Sequence, residues 1–111
     1  MDNTRNVTAD DLAEARETLD GYIEELNVVQ TDIFELCGGK YPPEVEVPLR
    51  YVDTLTERIV TAKSHLEPAK TAGELYGIVK GALCDLNQAM DTCNRIRQLL
   101  GKKPSPEATL H

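Results

Sequence analysis

The sequence is poor in the residue types that build large aromatic cores and metal sites. It contains no Trp, one Phe and two His, and none of its three Cys residues stands in a Cys-x-x-Cys pair. No Glu-x-x-His or His-x-x-x-His pair is present, so we expect neither a metal ion nor another cofactor. The odd number of Cys residues argues against a complete set of disulfides and favours free thiols in a reducing compartment.

Long apolar runs are also missing. The longest are only a few residues, against the roughly 20 that a membrane span requires. The N-terminal residues are polar and do not resemble a secretory signal, so we expect a cytoplasmic protein without a membrane partner. A chain of 111 residues is the size of one domain. The predicted organisation is a flexible N-terminus over 1–7, a single helical-bundle domain over 8–101 and a flexible C-terminal tail over 102–111.

Basic residues are scarce in the first third of the chain. Residues 1–37 hold ten acidic residues against two basic ones, whereas residues 38–111 hold nine against ten. The formal net charge of −7 is therefore concentrated at the start of the chain. Such a surface repels phosphate backbones, so direct binding of nucleic acid is disfavoured.

The spacing of apolar residues predicts three long helices. Apolar positions alternate in steps of three and four over 12–36, 52–66 and 79–100, which is the heptad seam of coiled coils and helical bundles. The predicted helices occupy about 9–37, 48–67 and 72–100.

Residues at the ends of these segments favour the same helices. Thr8 followed by Asp11 predicts a capping box, and Gly38 and Gly39 predict the end of the first helix. The three prolines within 40–48 predict a loop. Because short links between long helices place neighbours antiparallel, we expect an all-α bundle that runs up, down and up.

The third helix has more apolar surface than one seam requires. Tyr76, Leu83 and Met90 lie beside its seam on one flank. Two interpretations stay open: the helix is central and contacts both others, or a second subunit covers the surplus. We expect a homodimer, in which dimerisation completes the bundle.

A stripe of small residues lies on the same helix. Gly73, Gly77 and Gly81 recur at every fourth position and are followed by Cys84. Each glycine inside a helix costs about 1 kcal/mol relative to alanine. This spacing favours close approach of a partner's backbone; the alternative is a locally mobile helix that binds nothing.

One flank of the second helix contains residues that could form a catalytic site. Tyr51, Arg58 and His65 follow one another at intervals of seven and so share a flank. Arg58 and His65 are weakly similar to the signature of HEPN ribonucleases, an Arg and a His separated by four to six residues. The resemblance implies metal-independent RNA cleavage by these two residues at a dimer cleft. The acidic surface disfavours an RNA substrate, and the better interpretation is that Arg58 lies along the seam and pairs with a carboxylate of the first helix.

Carboxylates of the first helix are a further candidate surface. Glu14 with Glu17, or Glu24 with Glu25, could suggest the magnesium ligands of helical nucleotide pyrophosphohydrolases. No facing Glu-x-x-Asp pair exists on another helix, so a solvated surface is the better interpretation.

These observations favour a non-enzymatic protein-interaction module, such as an adaptor, regulatory or inhibitor-type protein. In the leading hypothesis a protein partner contacts the third helix. That surface consists of Gly73, Tyr76, Gly77, Gly81, Leu83, Cys84 and Met90. In the alternative, the chain is an inhibitor that mimics nucleic acid and opposes a basic patch with acidic residues. Those residues are Asp10, Glu14, Glu17, Glu24 and Glu25.

Overall fold

The computed structural model describes residues 5–102 as a rod of three helices. They are α1 (Ala9–Leu36), α2 (Pro43–Ser64) and α3 (Ala72–Lys102). The rod measures 63 × 24 × 20 Å. The predicted all-α bundle of three long helices is confirmed, and within the described residues the helices are joined by short turns.

Contacts between helices establish their directions. Lys63, near the end of α2, forms an ion pair with Asp20 in the first half of α1. Asp32 and Arg97, both near the ends of their helices, lie 3.3 Å apart. Therefore α2 is antiparallel to α1, and α3 runs parallel to α1, as the up-down-up prediction requires.

Aliphatic side chains from all three helices form the core along the axis of the rod. Leu19, Ile33, Leu55 and Ile96 are each at most 1% exposed. Full burial of one such side chain contributes about 1.5–3 kcal/mol. Leu36, predicted as the last seam residue of α1, is 62% exposed. It is the last residue of the helix, and the chain turns immediately after it.

The predicted signals at both ends of α1 are confirmed. The Thr8 hydroxyl accepts a hydrogen bond from the backbone N–H of Asp11, and the Asp11 carboxylate accepts one from the backbone N–H of Thr8. Gly38 and Gly39 have φ values of 69° and 86°. Only glycine adopts this left-handed region readily, which is why the helix ends there.

The start of α2 differs from the prediction. It begins at Pro43 rather than at 48, so the second half of the predicted loop is helical. A proline costs little at the first helical positions, because their N–H groups have no partner within the helix. Pro48 lies inside the helix, where it removes one donor. Burial of Val45 and Leu49, which are 0% and 7% exposed, offsets that loss.

α2 ends at Ser64, slightly before its predicted end, and residues 65–68 form turns.

The segment before α1 is joined by hydrogen bonds to the turn that precedes α3. The N–H of Val7 donates to the Lys70 carbonyl at 3.2 Å, and the N–H of Ala72 donates to the Arg5 carbonyl at 2.9 Å. Residues 5–7 of the predicted flexible N-terminus are therefore hydrogen-bonded. Residues 1–4, and the predicted tail beyond Lys102, lie outside the described residues.

Candidate functional site

An open groove of about 510 Å³ lies between α2 and α3. Arg58 and His65 of α2 line it, together with Gly77 and Gly81 of α3. The structure thus brings together two features that the sequence suggested separately, the glycine stripe and the pair that resembles a ribonuclease signature.

The two glycines in this groove are not explained by packing within the chain. Apart from its chain neighbours and the adjacent backbone of α3, a Cβ atom added at Gly77 or Gly81 would meet no atom of residues 5–102 within 4 Å. Neither glycine has a positive φ, so the backbone does not require glycine either. Of the other two residues in the stripe, Gly73 is half-buried and Cys84 is exposed. The feature to be explained is therefore a pair of exposed glycines inside a helix.

An ion pair links the two sides of the groove. Arg58 Nε lies 3.4 Å from Asp85 Oδ2 of α3. The possibility that Arg58 pairs with a carboxylate of α1 is wrong, because its flank of α2 faces α3 instead. Asp85 is only 9% exposed, so its charge is held at the edge of the buried core. Arg58 supplies the neutralising charge that a carboxylate in this position needs.

The rest of the flank that contains Arg58 also faces α3. The Tyr51 hydroxyl donates a hydrogen bond of 2.9 Å to Gln88 Oε1 of α3. His65 is exposed immediately after α2 and borders the groove near Gly77. The predicted alignment of Tyr51, Arg58 and His65 on one flank therefore places all three beside α3.

The apolar flank of α3 lies on the other side of that helix. Tyr76 lines a separate groove of about 250 Å³ between α1 and α3, whose other lining residues include Val79. Tyr76 is 64% exposed and Leu83 is 40% exposed, while Met90 packs partly against the core. Gly77 and Gly81 lie on the side that faces α2. The structure therefore places the glycine pair at the groove with α2 and Tyr76 at the groove with α1.

Carboxylates of α1 fall into two groups. Some lie on its flanks and form ion pairs: Asp11 with Arg5, Asp20 with Lys63, and Asp32 with Arg97. The predicted site residues are exposed and form no ion pair within residues 5–102. These are Asp10, Glu14, Glu17, Glu24 and Glu25. Only three of the five lie on its outer side, because Glu14 and Glu25 lie on the flank that contains Asp32, where Glu14 lines the groove with Tyr76. The paired acids therefore support the fold, whereas the predicted site residues are exposed charges of one sign.

Asp11, the flank acid nearest the N-terminus, has a strongly lowered pKa. Its hydrogen bonds from Arg5 and from the backbone of Thr8 hold the pKa of Asp11 far below its ordinary value. Hydrogen bonds to the charged form of a carboxyl favour that form. Asp11 is therefore a structural anion that caps α1 and anchors the N-terminal segment.

Cys37, Cys84 and Cys93 form no disulfide with one another, and their surroundings differ. Cys93 is fully buried, as its seam position predicts, and burial raises the pKa of its thiol. Cys37 is half-buried and Cys84 is exposed.

Within residues 5–102 there is no group of three or more His, Cys, Asp or Glu residues that could hold a metal ion. No helix in this part of the chain combines the length and the apolarity needed to cross a bilayer.

The structure is thus an all-α three-helix bundle with an open groove between α2 and α3 and an acidic outer side on α1. No family model, curated protein or solved structure matches this chain.

Proposed function

We propose that this chain is a non-enzymatic interaction module that binds a protein partner in the groove between α2 and α3. The observation that carries the proposal is the pair Gly77 and Gly81, which are exposed and have no neighbour within the described residues that would exclude a side chain. Each glycine costs the helix about 1 kcal/mol relative to alanine. Close approach of a partner's backbone offsets that cost, and adaptors and regulatory subunits bind in this way.

The lining of the groove favours an amphipathic helix as the bound element. Ile78 and Ala62 supply apolar surface in the groove, while Glu57 and Arg58 supply charges of both signs. A helix with small apolar residues on one side packs closely against glycines spaced by four. Its polar side would meet the charged residues. The homodimer expected from the surplus apolar surface is one case of such a partner.

Substitution of one glycine at a time tests this proposal. We expect Gly77→Leu to abolish partner binding, because the leucine side chain fills the groove. Gly21→Leu is the matched control, since Gly21 is an exposed helical glycine with no atom within 4 Å of an added Cβ. Proteins captured from a native lysate by the wild type and both variants would be quantified by mass spectrometry. Equal capture by Gly77→Leu and Gly21→Leu contradicts the proposal.

A second candidate uses the acidic surface of α1. The predicted site residues there form no ion pair within residues 5–102, unlike Asp11, Asp20 and Asp32, and this supports a role as an inhibitor that mimics nucleic acid. Binding to a basic partner would then weaken steeply with salt and survive Gly77→Leu. Neutralising Glu24 and Glu25 as Gln would weaken it further.

The ribonuclease alternative draws support from the position of Arg58 and His65 on one groove. The ion pair between Arg58 and Asp85 argues against it, because that guanidinium is already engaged. RNA cleavage that disappears in His65→Ala would favour the alternative, and equal behaviour of the wild type and the variant would remove it. The proposal includes the expected cytoplasmic location, which the lack of a disulfide among Cys37, Cys84 and Cys93 supports.

A further inference from the structure

We infer that the occupant of the groove between α2 and α3 is the same groove of a second copy of this chain, related by a two-fold axis. This inference rests on the proposed function and names the partner.

The distribution of charge favours the α2–α3 surface over α1 as the contact between two copies. α1 contains nine acidic residues and one basic residue, whereas α2 and α3 together contain seven of each. Lys63 and Arg97 pair with acids of α1, and Asp53 lies beside Gln30 of α1, which leaves six acidic and five basic residues for the other sides of α2 and α3. A two-fold contact places the same surface on both partners. Two α1 surfaces would therefore repel each other, while two α2–α3 surfaces meet with little net charge.

Apolar side chains extend the α2–α3 surface beyond the groove. Val47 and Tyr51 are 71% and 47% exposed, and helical spacing places both on the flank that contains Arg58. Leu99 of α3 is 43% exposed and follows Gln88 at helical spacing on the side that faces α2. Exposed apolar residues on both helices lengthen the groove into a surface that another protein can cover.

The size of this surface suits a specific dimer. The 22 residues of α2 span about 33 Å at 1.5 Å per residue. With the width of two packed helices, roughly 20 Å, the surface offers about 700 Å² per copy, close to the roughly 800 Å² of a standard interface.

The glycines decide how closely the two copies approach. With Gly77 and Gly81 at the contact, the α3 backbones of both copies can lie nearly against each other. The acidic outer sides of α1 then point away from the dimer axis and stay free.

The mass of the full chain in solution, measured by light scattering and by sedimentation, tests the inference. We expect the wild type to have twice the 12.3 kDa mass of one chain. Gly77→Leu/Gly81→Leu should return to the mass of one chain, while the matched control Gly21→Leu should stay dimeric. Circular dichroism would establish that each variant is folded. If the leucine variant does not fold, Gly77→Ala/Gly81→Ala replaces it in the test. We expect the dissociation constant of its dimer to be at least about tenfold above that of the wild type.

The results of these mass measurements distinguish failure of the inference from failure of the proposed function. A wild type that stays monomeric at millimolar concentration overturns the second copy as occupant but leaves the groove open to a different protein. A dimer that persists in both glycine variants overturns the inference and also removes the groove from the proposed function. A dimer lost in Gly21→Leu as well as in the groove variants also overturns the inference.

Discussion

Arg58 Nε and Asp85 Oδ2 lie 3.4 Å apart across the boundary between α2 and α3, and Asp85 is the one charged side chain buried among residues 5–102. The pair fixes the two helices that form the groove at a point beside Gly81. Its members differ in environment, because the Asp85 side chain is 12% exposed and the Arg58 side chain is 65% exposed. The bond therefore neutralises a buried carboxylate from the solvent side.

Removal of Arg58 should destabilise the protein more than loss of an ordinary surface pair does. We expect Arg58→Ala to lower the free energy of unfolding by about 1 kcal/mol, because Asp85 loses its compensating charge while solvent screens part of the effect. Arg95→Ala is the control, since its pair with Asp91 is exposed on one turn of α3. It should change the free energy by less than about 0.5 kcal/mol. Urea unfolding measures both, and equal effects would contradict this role for Arg58.

The corrected start of α2 predicts opposite outcomes for two valines two positions apart. Val45 is 0% exposed and Val47 is 71% exposed. Val45→Ala should lower the free energy of unfolding by about 2 kcal/mol, because it leaves a cavity in the core. Val47→Ala should change it by less than about 0.5 kcal/mol in the monomer. If urea unfolding shows that both changes are tolerated equally, the N-terminal turns of α2 are not packed as described.

The lowered pKa of Asp11 predicts that the free energy of unfolding depends on pH in the acidic range. Its pKa in the folded state is depressed by Arg5 and by the backbone of Thr8, so its contribution to stability is complete above the unfolded pKa of about 3.9. That contribution is lost as the pH falls from this value towards the lower folded pKa. Between pH 5 and pH 2 the wild type should therefore lose more stability than Asp11→Asn does.

Asp10→Asn is the control for that measurement, because Asp10 is exposed and forms no ion pair within the described residues. Its unfolding should depend on pH as that of the wild type does. Identical pH profiles for all three proteins would show that Asp11 does not anchor the N-terminal segment in solution.

Glycine-to-alanine changes separate the needs of the fold from those of a partner. Gly21→Ala should raise the free energy of unfolding by about 0.5–1 kcal/mol at any protein concentration, since alanine favours the helix and meets no neighbour. Gly77→Ala should give the same gain only in dilute solution. At high concentration we expect the gain to shrink, because alanine also weakens the dimer. Equal gains at all concentrations, measured by thermal unfolding, would show that no copy contacts Gly77.

Local signals made most of the fold predictable. The heptad seams, the Thr8 capping box and the Gly38–Gly39 stop each act within a few residues, so the sequence carries them directly. The start of α2 was missed because three prolines resemble a loop, whereas burial of Val45 decides the outcome through contacts distant in sequence. No local pattern near Pro48 reveals that burial.

The composition of the groove was harder to predict. Spacing alone places Gly77 and Tyr76 near each other on one helix, but it does not say which flank meets α1 and which meets α2. That depends on the handedness of the three-helix arrangement. The same ambiguity explains why the predicted partner of Arg58 is a carboxylate of α1, whereas its observed partner lies on α3. The sequence does contain one usable signal: Asp85 stands next to the seam residue Leu86 and one turn from Gly81, where a carboxylate needs a partner on a neighbouring helix.

Isotope-filtered NMR on a mixture of labelled and unlabelled chains would detect contact between the α2–α3 grooves of two copies. We expect intermolecular nuclear Overhauser effects at the α-protons of Gly77 and Gly81, and none at Gly21. The absence of such effects at the groove glycines, or their appearance at Gly21, would contradict the inferred contact.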